Sequence, residues 1–514
     1  MGRAHLFVID GDLKKVAVDA WYLPVDQGFH VTPAWIDVVA RLDPQRARRR
    51  DSWEPGELAR YLGDDDGAAV WLGNVGRYEA DIRHYTDCAL QFVEKATDKL
   101  KRERPLLDRR PIVAIPHLGT GEGGARKRHG DLLTGLIHAI TTAMNEGRIE
   151  ADVLLVSLGP TPEAAAQRAR FGGPEEWRTD PQWQFDFDQE RLHDKAIELA
   201  DLIRGERAAI FMGAGVSIGA GLPGWVSLLE EVGRHTHPPT SRVELDAVDD
   251  PRDMASLLHK RLEKDGRSLA RLLSDRLVSS KYSLQHGLLA SLPCNEFITT
   301  NVDELFERAA TATTGKLKVV PNQSESDRWL LKLHGTIADE DSLVFTRDKF
   351  LDLGRGSRAL FGLVQAMLFT KHMLFVGYGL GDEDFHEVVY DVRSAFPDKM
   401  LSRRIGSALI PLDDPIKREL WEDTLDIVSM RPSDHKLSDA VRDLERFLDL
   451  VGMLSSDRAA FLLEPRYEGM LTDDEQRLLG KLRTLVEEAE GHTDEQSAWR
   501  DLRLLLRRLG ANFR

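Results

Sequence analysis

The stretch that decides the fold is Ala208-Ala209-Ile210-Phe211-Met212-Gly213-Ala214-Gly215-Val216-Ser217-Ile218-Gly219-Ala220-Gly221-Leu222-Pro223. It joins an apolar run of strand length to a cluster of glycines, and apolar residues at helical spacing follow from Val226 to Val232. A strand, a glycine loop and a helix in this order present backbone N–H groups and the positive end of a helix to a diphosphate. We therefore predict an α/β domain with a Rossmann-like parallel sheet and a phosphate cradle at Gly213, Ala214, Gly215 and Ser217.

The glycine cluster differs from the common dinucleotide fingerprint. That fingerprint, G-x-G-x-x-G, requires glycine at position 218, where the chain has isoleucine. Residues 213–223 instead read G-A-G-x-S-x-x-x-G-L-P, which is a longer and more specific string. Glycines here would let phosphate oxygens approach the backbone closely and would tolerate positive φ angles. The alternative is an ordinary glycine-rich turn.

Three later apolar runs end in polar residues of the kinds that form sites. The first leads into Thr299-Thr300-Asn301-Val302-Asp303, the second into Leu333-His334-Gly335 and the third into Gly377-Tyr378-Gly379. Open α/β sheets assemble binding sites at the carboxyl ends of their strands. Helical patterns at about 240–290 predict a small inserted helical subdomain between the glycine cluster and these runs.

Together the four motifs resemble the sirtuin family, and more closely its prokaryotic defence-type NADase branch. The resemblance covers about residues 191–445, and the motifs occur in the family's order. It implies that NAD is bound as a substrate and that the bond between nicotinamide and ribose is broken. The protein then has to grip the diphosphate, orient the ribose, shelter the nicotinamide and assist a nucleophile.

The resemblance also implies a role for each motif residue. His334 would be the general base acting on a ribose hydroxyl or water, for which the ordinary pKa of histidine is suited. Asn301 and Asp303 would hold the nicotinamide ribose and the carboxamide. Pro223 and Trp225 would enclose that side of the ligand, with Gly377 and Tyr378 on the adenosine side. The residues implied to contact NAD are Gly213, Ala214, Gly215, Ser217, Gly221, Pro223, Trp225, Thr300, Gly377 and Tyr378.

Each of these roles has a structural alternative. His334 could be a buried histidine at the end of a strand, and Trp225 could belong to the core. Asn301 and Asp303 could cap a helix that begins near residue 304, because short polar side chains often do so.

Three departures from the protein-deacetylating sirtuins favour hydrolysis of NAD over transfer of an acyl group. Those proteins carry a four-cysteine zinc module, which a chain with only Cys88 and Cys294 cannot build. The family's glutamine before the asparagine is Thr300 here, and Gly224-Trp225 stands where deacetylases have an acidic-Phe-Arg run. We expect no metal ion.

Residues 1–160 alternate strand-like and helix-like segments, which predicts a second α/β domain. Two pieces resemble the macro domain, an ADP-ribose-binding module: Gly11-Asp12-Leu13 with Val18-Asp19-Ala20, and the glycine-rich loop after a strand at 111–116. The resemblance implies a sensor for an ADP-ribose-like signalling nucleotide. Its implied contacts are Asp12, Gly119, Thr120, Gly121, Gly123 and Gly124. The alternative for the loop is a plain strand-to-helix turn.

The remaining segments predict a linker and a helical tail. Residues 161–190 are rich in Pro, Gly, Glu and Arg, which is typical of a linker. From 446 to 514 the chain is helical and charged, with a capping-box pattern at Thr472 to Glu475. The apolar stripes of these helices need a partner surface, which is either the parent domain or a second subunit.

The composition limits the partners. With 69 Lys and Arg against 85 Asp and Glu, the formal net charge is −16, which argues against a general nucleic-acid binder. Asp10 and Asp12 interrupt any secretory core, and the longest apolar region, 363–380, contains Lys371 and His372. We therefore expect a cytoplasmic protein with neither a membrane nor a nucleic-acid partner.

These resemblances imply an NAD glycohydrolase that releases nicotinamide and ADP-ribose. It would act as an antiphage-defence effector and form a homo-oligomer controlled by nucleotide binding at the N-terminal domain. One alternative is a regulator that binds NAD or ADP-ribose without cleaving it. A third possibility is a protein deacylase or ADP-ribosyltransferase, which needs an acceptor.

Overall fold

The chain folds into two α/β units, each with its own sheet. This computed structural model describes residues 3–43, 52–76, 81–119, 128–173, 175–321, 326–356, 358–381, 383–395, 404–492 and 497–513. The first unit is made from residues 1–13, 18–184 and 452–514, and the second from residues 14–17 and 185–451.

The first unit contains a six-stranded mixed sheet. Its strands are β1 (Leu6–Asp10), β2 (Ala20–Val25), β3 (Ala59–Asp65), β4 (Ala68–Asn74), β5 (Ile112–Pro116) and β6 (Asp152–Ser157). The helices are α1 (Ile36–Leu42), α2 (Ile82–Glu103), α3 (His129–Asn145), α4 (Pro160–Phe171) and α5 (Glu176–Thr179). The strand order is β1-β6-β5-β2-β4-β3, and all pairings are parallel except the antiparallel pair β3–β4. The predicted α/β domain is therefore present, with a β3–β4 hairpin that was not predicted.

The segment expected to be a linker is instead packed into the first unit. Helix α4 places Ala164, Ala165 and Ala166 in the core. Trp183 is fully buried, with its ring 4.9 Å from that of His5. The Pro, Gly and charged residues of this segment suggested a linker, but its alanine run and its tryptophans provide an apolar side that folds against the sheet.

The second unit contains a seven-stranded parallel sheet. Its strands are β7 (Ala208–Met212), β8 (Glu296–Thr299), β9 (Lys318–Val320), β10 (Trp329–Lys332), β11 (His372–Val376), β12 (Gly406–Leu412) and β13 (Leu425–Arg431). Its helices are α6 (Gln189–Arg204), α7 (Gly215–Ile218), α8 (Trp225–Gly233), α9 (Arg242–Asp246), α10 (Pro251–Lys264), α11 (Leu269–Leu277), α12 (Leu284–Ser291), α13 (Leu305–Thr314), α14 (Arg347–Gly356), α15 (Arg358–Thr370), α16 (Glu383–Ala395), α17 (Pro415–Trp421) and α18 (Leu437–Ser455).

The strand order of this sheet explains where a ligand can bind. The order is β13-β12-β11-β7-β8-β10-β9, and every pairing is parallel. From β7 the chain moves to β8 on one side and later returns to β11 on the other. Such a reversal opens a crevice at the carboxyl ends of the strands. The predicted Rossmann-like parallel sheet and the inserted helices α9–α12 are confirmed.

The C-terminal helices belong to the first unit. They are α19 (Asp473–Glu490) and α20 (Ser497–Arg508), preceded by a 3-10 helix over Pro465–Met470. The predicted capping box at Thr472 is present. Leu479 and Leu506 lie in the same core cluster as Leu132 on α3. A methyl group at Gly130 would lie 2.6 Å from Met470 Cγ, so the tail packs tightly on α3. Packing within the chain is thus observed for these apolar stripes.

Candidate active site

A cavity of about 680 Å³ opens at the carboxyl ends of β7, β8, β10 and β11. This volume is within the range of about 300–1,000 Å³ that is usual for small-molecule and cofactor sites. Helices α10 and α11 of the inserted subdomain contribute part of its wall. The predicted site residues that line it are Ala214, Ser217, Pro223, Trp225, Thr300, Asn301, Asp303, His334, Gly377 and Tyr378.

The glycines of the first motif allow two loops of the second unit to touch. A methyl group at Gly213 or Gly215 would lie 2.6 to 2.8 Å from the backbone of Gly377, so the loops after β7 and β11 can touch only because side chains are absent. The Gly213 N–H donates to the carbonyl of Val376 (3.0 Å), and the Gly215 N–H to that of Gly377 (2.9 Å). The N–H groups of Val216 and Ser217 also donate to backbone carbonyls of the loop.

The N–H groups of Gly213, Gly215 and Ser217 are therefore used in hydrogen bonds within the protein, whereas Ala214 and Ser217 of the predicted phosphate cradle line the cavity. Gly213, Gly215 and Gly221 are not among the residues that line the cavity. Gly221 has open space around it and a φ of +83°, which explains glycine in the turn before Pro223.

Asn301, Ser217 and Asp303 form one hydrogen-bonded network at the base of the cavity. Asn301 Nδ2 donates to the carbonyl of Gly213 and to Ser217 Oγ, both at 3.1 Å. Ser217 Oγ donates to Asp303 Oδ2 at 2.8 Å. Ser217 and Asp303 are buried, whereas Asn301 is half-buried. The network joins the loops after β7 and β8, and it fixes the Asn301 amide without a ligand.

Both carboxylate oxygens of Asp303 are hydrogen-bonded within the protein. Its Oδ1 accepts the N–H of Leu305 (3.0 Å) at the start of α13, in line with the helix-capping alternative. Its Oδ2 accepts from Ser217. Asp303 therefore ties the start of α13 to the loop after β7.

A buried lysine connects this network to the strand that carries His334. Lys332, at the end of β10, is 5% exposed; its Nζ donates to the carbonyls of Val302 and Asp303 and lies 2.6 Å from Glu307 Oε1. Burial raises the pKa of Glu307, and the neighbouring ammonium opposes this rise. The ion pair holds the loop of Asn301 beside the residues that precede His334.

His286 is a part of this site that the sequence motifs did not predict. It lies on α12 and is 1% exposed, with its Nε2 3.5 Å from Ser217 Oγ. Its other nitrogen, Nδ1, belongs to a capping box with Ser283. Burial lowers the pKa of His286 to about 4, so the ring is neutral at pH 7. The spacing Ser283-x-x-His286 resembles a capping box, and this was the available signal.

His334 lies at the cavity wall after β10. Its ring contacts the edge of Phe350 at a centroid distance of 5.0 Å, and its carbonyl accepts the N–H of Val344 (3.1 Å). The next residue, Gly335, has a φ of +83°, and a methyl group there would lie 2.1 Å from the carbonyl oxygen of Ser342. Only glycine fits this turn, which sets the direction in which the chain leaves the site.

Aromatic side chains form one wall of the cavity. The indole of Trp225 stacks on Phe345 with centroids 4.8 Å apart and an angle of 15°. Phe350 lies under the guanidinium of Arg252, 5.6 Å from its ring centre. Trp225 was predicted, whereas Phe345 and Phe350 were missed because the sequence just before α14 and in its first turns carries no recognisable motif.

An ionic cluster lies where α10 and α14 meet. Arg252, which lines the cavity, and Arg347 both bind Asp250, and Arg347 also binds Asp253. Arg252 first, and then Arg347, hold the pKa of Asp250 well below its ordinary value. These contacts fix the first turn of α10 against the cavity.

The predicted signal-binding residues of the first unit are only partly described. Asp12 is half-buried after β1, and Gly119 follows β5 with a φ of +74°. The carbonyl of Gly119 accepts a hydrogen bond from His129 Nε2. Nearby, His117 Nε2 is 2.9 Å from Ser157 Oγ, and burial lowers the pKa of His117 to about 3. Thr120, Gly121, Gly123 and Gly124 lie outside the described residues.

Metal binding and membrane insertion find no support in the part of the chain that the structure describes. Within those ranges, no group of three or more His, Cys, Asp and Glu side chains is arranged to hold a metal ion. In the same part of the chain, no helix is long and apolar enough to cross a membrane.

Comparison with known proteins supports the resemblance seen in the motifs. A family model described as "SIR2-like domain" matches residues 295–430. The protein named "NAD(+) hydrolase ThsA" from Enterococcus faecium is 30% identical over 206 residues, which are 38% of this chain and 41% of that protein. A protein of the same name from Acinetobacter baumannii is 26% identical over 283 residues, or 52% of this chain and 56% of that protein.

A further relative is "Defense-associated sirtuin 2" of Bacillus subtilis, 23% identical over 211 residues, which are 39% of this chain and 21% of that protein. The chain spans less than half of the Enterococcus relative and little more than half of the Acinetobacter one. The matched family segment contains β8, β10 and β11, and thus Asn301, Asp303, His334 and Tyr378. Residues 295–430 therefore match a SIR2-like domain, in agreement with the ordered sirtuin motifs.

Proposed function

We propose that this chain is an NAD glycohydrolase that cleaves NAD to nicotinamide and ADP-ribose and acts as an antiphage-defence effector in the cytoplasm. The observation that carries the proposal is the shared cavity of Asn301, His334 and the residues after β7 and β11. The names of the relatives, two NAD(+) hydrolases and one defence-associated sirtuin, support both the activity and the setting.

The proposed reaction needs few groups. The bond between the ribose carbon C1′ and the pyridinium nitrogen breaks, and the nitrogen keeps the electron pair and leaves as neutral nicotinamide. Water adds to the cationic sugar carbon, and its proton passes to His334 as general base. The edge contact with Phe350 limits rotation of the imidazole, and the network below fixes Asn301. Positioned groups of this kind stabilise charge at little reorganisation cost.

We assign different walls of the cavity to the nicotinamide half and the adenosine half of NAD. Trp225 and Phe345 offer a stacked apolar surface on the side of Pro223, where we place the nicotinamide. Gly377 and Tyr378 follow the carboxyl end of β11, where we place the adenosine half. Because the amides of Gly213 and Gly215 are bonded to carbonyls, we assign charge compensation of the diphosphate to Arg252, the one Lys or Arg among the described residues that line the cavity.

We also propose that the first unit is a macro-like sensor of an ADP-ribose-type nucleotide, and that its binding controls a homo-oligomer. Asp12 and Gly119 both follow strands of its sheet at the carboxyl edge, which is where α/β sheets bind ligands. A signalling nucleotide could shift the population of active protein only through a difference in affinity between two states.

The test is release of nicotinamide from NAD by the purified full-length protein, followed by chromatography with and without added ADP-ribose. Substitutions His334→Ala and Asn301→Ala should each lower kcat by about 10²–10⁴, the usual contribution of a positioned acid–base group. Tyr390→Ala, at an exposed residue of α16, is the matched control and should leave kcat unchanged. Activity that survives in both His334→Ala and Asn301→Ala would reject this site.

The alternatives predict different results in the same assay. A non-catalytic regulator would bind NAD saturably and release no product over hours. A protein deacylase or ADP-ribosyltransferase would consume NAD only when a peptide or other acceptor is present. No metal ion enters any of these schemes.

A further inference from the structure

His286 holds a buried position next to the residues of the cavity without lining it. Its sequence position is 69 residues from Ser217, and α12 brings the two together. A neutral buried imidazole can be a core residue with no consequence for a site. The hydrogen bonds around it indicate a more specific role.

The tautomer of His286 follows from its neighbours. The backbone N–H of Ser283 points at Nδ1 from 3.3 Å, and a backbone N–H can only donate. Nδ1 must therefore present its lone pair. The Ser283 hydroxyl has one proton and two acceptors within reach, the Nδ1 lone pair at 2.9 Å and the carbonyl of Val216 at 2.7 Å, so it too can donate to Nδ1. A neutral ring with a lone pair on Nδ1 carries its proton on Nε2, the atom that faces Ser217.

Ser217 Oγ accepts a hydrogen bond from His286 Nε2 in addition to its bonds with Asp303 and Asn301. Its own hydroxyl proton goes to Asp303 Oδ2, and it accepts from Asn301 Nδ2. A serine hydroxyl has one proton and two lone pairs, so the remaining lone pair accepts from His286 Nε2 at 3.5 Å. The contact is long, and this choice of protons leaves the hydrogen bonds of Ser217 to Asp303 and Asn301 intact.

Counting donors and acceptors in the same way determines the orientation of the Asn301 amide. Gly213 presents a carbonyl oxygen and Ser217 presents a lone pair, so the atom of Asn301 that faces both must be the NH₂ nitrogen. Both amide protons are then in use. The group left for the cavity is the carbonyl Oδ1, which can only accept a hydrogen bond.

We infer that His286 is a positioning residue: through Ser217 it keeps the Asn301 amide turned so that Oδ1 meets a hydroxyl group or water of the substrate. This inference rests on the proposed hydrolysis of NAD. The chemical class that Oδ1 selects is a hydrogen-bond donor, such as a ribose hydroxyl or the attacking water. Loss of His286 would free Ser217 to rotate, and Asn301 could then flip.

The first experiment does not depend on activity. In full-length protein labelled with ¹⁵N-histidine, NMR at pH 7 reports which ring nitrogen of His286 is protonated, and the resonance is assigned by its loss in His286→Gln. We expect protonated Nε2 and unprotonated Nδ1. A ring protonated on Nδ1, or on both nitrogens, would overturn the inference even if the protein proved to be no NADase.

The second experiment compares two variants by steady-state kinetics with NAD. His286→Leu removes the donor and should lower kcat about 10- to 100-fold with little change in KM, since small misplacements of a catalytic group have effects of this size. His286→Gln should restore most of the activity, because its Oε1 can accept from Ser283 and its Nε2 can donate to Ser217. His193→Leu removes another buried histidine of this unit as a control and should leave kcat unchanged.

The outcomes separate the two proposals. No nicotinamide from the wild-type protein contradicts the proposed function and leaves the tautomer measurement to decide the inference. Wild-type kcat in His286→Leu contradicts the inference while the function stands. Equal losses in His286→Leu and His286→Gln, with unchanged thermal unfolding, also contradict it, because the donor would then be irrelevant.

Discussion

The two units place polar residues at the same edge of their sheets but use them differently. In the second unit, Asn301 and His334 face a cavity of about 680 Å³. In the first unit, the polar groups that are described bind one another: Asp10 Oδ1 accepts the N–H of Gly159 at 2.7 Å, and Ser157 contacts His117. At both edges, glycine-containing loops follow the strands.

The difference teaches that a glycine loop at a strand end is weak evidence of a ligand. Gly213 and Gly215 allow two loops to touch, and their amides are already bonded. What distinguishes the second unit is a half-buried side chain, Asn301, whose Nδ2 is held by Gly213 and Ser217 and which lines a cavity. The buried ionisable groups near the two edges also differ: the second unit has the ion pair of Lys332 and Glu307, and the first has the carboxyl group of Glu163. Substitutions of these residues test the difference.

The largest effect is expected from breaking the buried pair under the second edge. Lys332→Met should lower the free energy of unfolding by about 3–5 kcal/mol, because it leaves Glu307 buried without its cation. Chemical denaturation of the full chain measures this. Lys371→Met, which breaks a more exposed pair with Glu296 on the same sheet, should cost only about 0–1 kcal/mol. Equal losses in both variants would show that burial does not set the cost.

A smaller effect is expected under the first edge, where a buried acid is kept neutral. Burial raises the pKa of Glu163, on α4, to about 8 from an ordinary value of 4.5. The folded state therefore holds an extra proton between these values, and its stability falls as the pH rises through that window. Glu163→Gln should remove this loss, on the order of 2–4 kcal/mol at about pH 8.5, and change little at about pH 4.

Thermal unfolding at several pH values tests this prediction. Gln167→Glu is unsuitable as a control because Gln167 contacts the same carboxyl group. Glu176→Gln, at an exposed residue of the neighbouring α5, is suitable and should leave the pH dependence unchanged. A wild-type protein whose stability stays level from about pH 5 to about pH 8 would contradict a neutral Glu163.

The smallest effect concerns the contact between the two loops of the second unit. Gly213→Ala places a methyl group 2.6 Å from the backbone of Gly377 and should cost about 1–3 kcal/mol, with loss of activity as Asn301 shifts. Gly224→Ala, where a methyl group meets open space, should stay within about 0.5 kcal/mol of wild type. A stable, active Gly213→Ala would show that the contact between the loops does not require glycine, whereas a stable but inactive variant would indicate that the glycine serves the ligand.

Much of the second unit could be predicted because its motifs are local. The strands before Gly213, Asn301, His334 and Gly377 are short apolar runs, and the parallel sheet follows from their order. The missed parts depend on distant contacts. His286 reaches Ser217 across 69 residues, and Lys332 reaches Glu307 across 25. A pattern within a short stretch of sequence cannot predict contacts between residues that are this far apart in the chain.

Two wrong or incomplete predictions have simpler physical reasons. The β3–β4 hairpin turns at Asp66-Gly67, where both residues have a positive φ; this dipeptide is a strong hairpin signal that the prediction did not use. The polar composition of residues 161–190 favoured a linker, but Trp183 and the alanines of α4 are buried. In both cases a few residues outweigh the average character of the segment.

The first unit is discontinuous in sequence. Residues 452–514, which follow the second unit in the chain, complete the core that residues before 185 begin. A ribosome therefore finishes the SIR2-like unit about 60 residues before the first unit can close, and at about 5–20 residues per second that interval is roughly 3–12 s. In the proposed arrangement, each newly made molecule would hold a folded hydrolase before its nucleotide sensor is complete, so nascent chains need another restraint on NAD cleavage.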